Sequence, residues 1–444
     1  MDRGLSDGAV GGRFRAARGL CLALLPALLV ACGGGSGGSS NTSANLEGCS
    51  VLEQNQFVYD AMLDVYLWND QMPVVDPADF DSPDQLLNAL RAPQDRFSFL
   101  TTVVQDDAFF GEGQFAGIGI RSREPEANEL RVVDVFEGGP ADQAGMARGD
   151  RILAVNGRPI EEILDEEGFS ASLGDPDVGV PVDIAWENTA GERIEATLIK
   201  AVVTIPPVAT VDVLMTSAGP TGYLAFRTFV EPAASPLRDA FATFRAAGVS
   251  SVIIDVRYNS GGLLTIAELL ADLAGGEGAE GQPIYTLEYN DNNTSRNETV
   301  LFRDRTGSLN PERLVFITTG SSASASEMVI NALEPFYDVA LVGATTLGKP
   351  VGQVAISFCE RVLRPVSFRT VNALGEGDFF DGLAVDCPAE DDLDYPFGDP
   401  AEASMAEALH YVENAACSPA TAAAATVQGK PGRSVSDWRL LDAD

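Results

Sequence analysis

Histidine is almost missing from this chain: among 444 residues only His410 is one. Lysine is nearly as scarce, at Lys200, Lys349 and Lys430, and acidic side chains outnumber Lys and Arg by 65 to 29, a net charge of −36. The lack of histidine removes the usual base of hydrolytic triads and the commonest zinc ligand. The shortage of cations excludes nucleic acid as a partner, because neutralising phosphates takes clustered Lys and Arg. No C-x-x-C spacing occurs among the six cysteines, so neither a redox dithiol nor a zinc knuckle is expected. No metal or cofactor is expected either. The acidity itself reads as solubility.

The chain does have an export signature. Arg13, Arg15 and Arg18 precede "LCLALLPALLVA", an apolar run too short to span a bilayer but of signal-core length. It ends in "LVAC", which resembles the lipobox of bacterial lipoproteins and predicts lipidation of Cys32. Residues 1–31 are then a signal peptide, and 32–48, "CGGGSGGSS…", a flexible Gly/Ser tether. Gly33 after the lipidated cysteine resembles the outer-membrane pattern, so the expectation is a lipid-anchored body facing the periplasm, touching membrane only through its N-terminal lipid.

With Cys21 removed and Cys32 lipidated, Cys49, Cys359, Cys387 and Cys417 remain, and an exported chain should pair them. Three connectivities are possible; Cys359–Cys387 with Cys49–Cys417 is the expected one.

Helical spacing of Val58, Met62, Val65 and Tyr66 predicts a small helical region over 49–100, its aromatics serving as core. Short β-rich segments between turns predict a compact β domain over 101–203. Within it, "VVDVFEGGPADQAGMARGDRILAVNGRPI" resembles a PDZ domain. In that family a peptide adds as a strand, and its C-terminal carboxylate is held by backbone N–H groups of a Gly-containing loop. "FAGIGI" makes Gly117, Ile118 and Gly119 the candidates for that loop.

From 204 to 417 strands alternate with helices, the signature of an α/β domain of β-α-β units. Residues 418–444 have tail composition and little reason to fold. Parallel strands joined by helices bring the loops after them to one sheet edge. "RYNSGG", "GSSASAS" and "ATTLGKPVG" should meet there, gathering Gly261, Gly262, Ser324 and Lys349. "SASE" is by itself a helix capping box, with Ser324 at the N-cap and Glu327 three residues on. A serine there can also act as a nucleophile, since the helix N-terminus offers free N–H groups to an oxyanion, that of Ala325 above all. It needs a base, and a desolvated lysine can replace histidine. Ser322 and Ser326 are the fallback nucleophiles.

"DVRYNSGG", "GSSASASE" and "LGKPVGQ", in that order behind a PDZ domain, resemble the C-terminal processing peptidases, or tail-specific proteases. The resemblance covers roughly residues 100 to 390. It implies a ClpP/crotonase-like α/β catalytic domain, Ser324 as nucleophile, Lys349 as base and Gln353 positioning the lysine. Ala325 with Gly261 or Gly262 would form the oxyanion hole. It implies a serine endopeptidase acting on proteins with accessible C-terminal tails. Pro350 stands where that family usually has Gly, and Ser260 where Pro often stands.

Two other readings compete. "GATTLGKP" satisfies G-x-x-x-x-G-K, but Pro350 in the final place offers neither a hydroxyl nor an N–H, and a strand pattern follows where a phosphate loop needs a helix. A catalytically inactive peptide-binding PDZ adaptor at the membrane is the alternative; it would be free to lose Ser324 or Lys349, and the chain keeps both.

Overall fold

The computed structural model describes residues 48–124 and 129–419. The expected signal peptide, Cys32, the tether up to residue 47 and the tail from residue 420 lie outside the described residues.

A six-stranded sheet forms the centre, in the order Val208–Thr216, Gly219–Phe226, Ser251–Asp255, Arg313–Thr318, Asp338–Gly343, Cys387–Pro388. The first pair is antiparallel and the others parallel. Strands buried on both faces read as continuous apolar runs, and "SVIID" and "RLVFIT" do so. Alternate residues go to opposite layers. Leu224, Val252, Ile254, Leu314 and Phe316 pack with Phe241, Leu270 and Val329 from helices Ala234–Ala247, Leu264–Ala279 and Ala325–Leu333. Tyr223, Ile253, Val315 and Ile317 pack with Met405, Ala408 and Val412 of helix Ala403–Asn414.

The β domain is a sheet in the order Ile120–Arg123, Leu130–Val135, Arg151–Val155, Pro181–Glu187, Arg193–Ile199, with Arg158–Pro159 added to the third strand. Trp186, Leu130, Val132 and Ile163 are its fully buried centre. The boundary expected at residue 101 falls inside strand Phe99–Thr102, which pairs with Arg361–Arg364. Residues 101 and 102 thus lie in a ladder with hairpin Ile356–Arg364 and not in the β-domain sheet.

That N-terminal region starts with helix Val51–Val65, whose capping box joins Ser50 and Glu53, and continues through helix Pro83–Leu90. Its core, with Val58, Met62, Tyr66, Leu87 and Phe97, is completed by Val351, Phe358, Leu363 and Val366 from the far end of the chain. Asn290 and Asn293 both donate to the Asp64 carbonyl in the last turn of the first helix, at 2.8 Å each, satisfying an orphan acceptor there.

Both disulfides differ from the expected pairing: Cys49 joins Cys359, and Cys387 joins Cys417. Cys359 lies at the turn of the hairpin Ile356–Arg364, against the first helix, where Phe57 stacks on Phe358 at 4.6 Å. Cys387 lies on an edge strand of the central sheet, and its partner Cys417 follows helix Ala403–Asn414. The two ends of the folded body are tied to different places, and sequence spacing carried no sign of it.

Candidate active site

Three loops leave the same edge of the central sheet. The first follows Asp255. Gly261 and Gly262 adopt φ of +105° and +138°, which only glycine takes readily. A Cβ on Gly261 would lie 2.8 Å from Ser324 Cβ and 2.9 Å from Ala325 N, and one on Gly262 would strike Phe229 O at 2.2 Å. The loop thus lies directly against the start of helix Ala325–Leu333. Buried Asn259 shapes it: its Oδ1 accepts the Gly261 N–H at 2.9 Å, its Nδ2 donates to Phe226 O at 3.0 Å, and its carbonyl accepts from Ala323 N at 3.1 Å.

The second loop carries Ser324 into its helix with φ +55° and ψ −115°, a conformation strained for a side-chain-bearing residue. Ser322 and Ser326 are fully buried, their hydroxyls donating to Val256 O at 2.7 Å and Asn259 O at 2.9 Å. Ser324 alone of the three is partly exposed. Among the described residues the N–H groups of Ala325 and Gly262 donate to no protein acceptor, while that of Gly261 is taken by Asn259.

The third loop brings Lys349. Its Nζ donates to Gln353 Oε1 at 2.7 Å and lies 5.4 Å from the Phe97 ring centroid. Burial pushes the Lys349 amine down to about 8, the Arg364 guanidinium adds to this, and Asp95 and Glu327 oppose it. The structure joins Lys349 to Gln353 directly and to Ser324 indirectly. The link is Glu327, whose buried carboxylate accepts the N–H of Ser324 at 2.8 Å, of Lys349 at 2.8 Å and of Gly348 at 2.7 Å, and the Thr346 hydroxyl at 2.5 Å. Desolvation raises its pKa, and the four donors work against that rise. Sequence reasoning took Glu327 as a capping residue only; its wider role follows from the capping box facing a second loop.

Below the glycine loop a dense polar seam joins the β domain to the sheet edge. Buried Arg257 donates to Asp255 at 2.8 Å, Glu402 at 3.1 Å and Asp391 at 3.1 Å. Arg148 of the β domain donates to Tyr258 Oη and Asp391, both at 2.8 Å, and Tyr258 also bonds Asp391. Burial alone would raise the Asp391 carboxyl, but Arg257, Arg148 and Arg123 override it and hold it well below the usual range. Sequence reasoning missed this seam, since its members are scattered over 123–402.

In the β domain, Ile118 and Gly119 form the turn before strand Ile120–Arg123, whereas Gly117, expected in the same loop, ends strand Gln114–Gly117 and pairs with Ala201. The carbonyls of Ile118 and Gly119 accept from Ala141 N and Phe136 N at 2.9 Å each. Their own N–H groups donate to no acceptor among the described residues.

Comparison with known proteins agrees with this layout. Residues 220–371 match peptidase family S41, residues 53–99 the peptidase S41 N-terminal domain, and residues 131–170 a PDZ domain. The chain is thus similar to peptidase family S41 over its N-terminal region and its central sheet, with a PDZ match between the two. More particularly, it is 28% identical over 238 residues to the carboxyl-terminal-processing protease of Synechocystis sp., covering 53% of each chain. It is 28% identical to the carboxy-terminal processing protease CtpA of Bacillus subtilis, over 54% of this chain and 48% of that one. The chain thus spans about half the length of the curated relatives it matches. Among solved structures, an S41 protease from Bacteroides fragilis superposes with a TM-score of 0.64 at 23% identity, over 81% of this chain and 97% of that one. The photosystem II D1 C-terminal processing protease superposes at 0.52 and 19% identity, over 77% and 94%, and shares the fold.

Proposed function

We propose that this chain is a serine endopeptidase that hydrolyses peptide bonds with a Ser324–Lys349 dyad and recruits substrates by their C-terminal tails. The observation that carries the reading is Glu327, one buried carboxylate fixing the backbones of both Ser324 and Lys349. An amine whose pKa is lowered to about 8 is neutral often enough to accept a serine proton, which an ordinary lysine is not.

In the first step Ser324 Oγ attacks the scissile carbonyl while Lys349 Nζ takes its proton. The oxyanion accepts from Ala325 N–H and Gly262 N–H, the two unengaged donors flanking Ser324. The C–N bond then breaks, Lys349 returns the proton to the leaving amine, and an acyl-enzyme remains. Water, deprotonated by the same amine, releases the acyl group and restores Ser324. Gln353 holds the amine through its Oε1. The Ile118 and Gly119 N–H groups would receive the tail's carboxylate, and the tail would lie as a strand beside Ile120–Arg123.

The N-terminal sequence supports a lipid anchor at Cys32 and a place in the cell envelope, facing the periplasm from the outer membrane. Radiolabelled palmitate incorporated by the full chain but not by Cys32→Ala would bear this out; equal labelling of both would defeat it.

The activity test is incubation of the chain, Ser324→Ala and Lys349→Ala with an unfolded polypeptide ending in a free apolar tail, read by mass spectrometry. Cleavage by the wild type alone is expected. Tail binding by all three without cleavage would leave a peptide-binding adaptor.

A further inference from the structure

Four consecutive residues far in sequence from Lys349, 95–98, reach the groups that hold the base. Gln353 Nε2 donates to Phe97 O at 2.6 Å and to Arg364 O at 3.1 Å. A carboxamide has two N–H donors and one carbonyl; with both donors spent on backbone carbonyls, only Oε1 can face Lys349 Nζ. The orientation of Gln353 therefore depends on where the Phe97 carbonyl sits.

That carbonyl is set by Asp95. Its Oδ1 accepts from Phe97 N and Ser98 N at 2.9 Å each, and its Oδ2 accepts from Ser98 Oγ at 2.5 Å. Ser98 Oγ in turn accepts from Val366 N at 2.9 Å, which locks the turn onto the catalytic domain. Asp95 is 5% exposed and Ser98 2% exposed, so little solvent competes for these bonds. Arg96 completes the arrangement by donating to Leu347 O at 3.0 Å, two residues before the lysine.

We propose that the Asp95–Ser98 turn of the N-terminal region is part of the general-base machinery, with Asp95 a positioning residue that acts on Lys349 through the Phe97 carbonyl and Gln353. The proposal rests on the peptidase reading given above. The charged groups acting on the amine are Arg364, Asp95 and Glu327. Removing the Asp95 charge, or freeing Gln353 to turn its NH2 toward the amine, makes protonation of Lys349 less favourable.

The test uses the full chain, a peptide with a free apolar C-terminus, and steady-state kinetics from mildly acidic to alkaline pH. Asp95→Asn is expected to lower kcat on the order of tenfold with KM little changed. The acid limb of kcat/KM should move to lower pH. Combined with Gln353→Ala it should add almost no further loss of kcat, because both act on one contact. Additive losses, an unmoved acid limb, or a loss that follows the unfolded fraction would overturn the proposal. Ser98→Ala, which keeps the charge and cuts the link to Val366, should give a smaller change of the same kind and decides by the same criteria if Asp95→Asn does not fold. Should the wild type cleave nothing, the peptidase reading fails separately. The inference is then judged on the amine itself, by the pH dependence of Lys349 acetylation measured by mass spectrometry. A midpoint lower in Asp95→Asn than in the wild type supports it, and an unchanged midpoint overturns it.

Discussion

The two halves of the proposed catalytic centre are built in opposite ways. The serine half is local to the sheet edge: a glycine loop, a strained residue and a helix N-terminus, all within residues 255–327. The lysine half is assembled across the chain, with Gln353 bonded to Phe97 at a separation of 256 residues and Phe97 itself in a core drawn from Val58 to Val366. Local geometry can be specified by a short motif, whereas the long-range half depends on two distant segments folding onto each other. Glu327 is the seam between the halves.

The comparison can be broken first at the serine half. Gly261→Ala should reduce kcat by about 10²–10³-fold while leaving tail binding intact, because the added Cβ lands on Ser324 and Ala325 N and displaces the oxyanion donors. Single-turnover kinetics with equilibrium peptide binding would check it. Glu327→Gln should lower kcat and also the melting temperature, since its NH2 would face two of the four donors, Ser324 N and Lys349 N or Gly348 N and Thr346 Oγ1; a buried charge-assisted network of this kind contributes about 1.5–3 kcal/mol per bond lost. A variant with full stability and reduced kcat would mean that the carboxylate serves one half only.

The lysine half is sharpened by pH. The base works when neutral, so kcat/KM should rise about tenfold per pH unit below about 8 and level off above it. A flat profile would remove Lys349 from the role. The smallest effect is expected from Ser326→Ala, whose hydroxyl only supports the Asn259 carbonyl: about 1 kcal/mol of stability and a kcat within a few-fold of wild type, by denaturant melt and steady-state assay.

How much of this was legible in the sequence follows the same division. "SASE" and "NSGG" disclose a capped helix and a positive-φ loop because their physics is local, and β-α-β alternation places both at one edge. Lys349 and Gln353 were visible through their motif. Asp95, Arg96 and Phe97 were not, for a side-chain bond to a backbone carbonyl leaves no periodicity and asks little of the residue that owns the carbonyl. The disulfide pairing was misjudged for a related reason: cysteine count fixes the number of bridges, but partners are set by which segments the fold brings together. The fallback serines were excluded only once Val256 O and Asn259 O could be seen to hold them.

The bond between Gln353 and Phe97 also bears on the order of assembly. Residues 95–98 must wait for the segment 347–366 before the proposed base has its support, and the Cys49–Cys359 bridge closes over the same interval. A partly folded chain can therefore form its nucleophile helix and still lack a positioned proton acceptor. The proposed activity would therefore arrive only with the last long-range contact, which makes completion of the fold its switch.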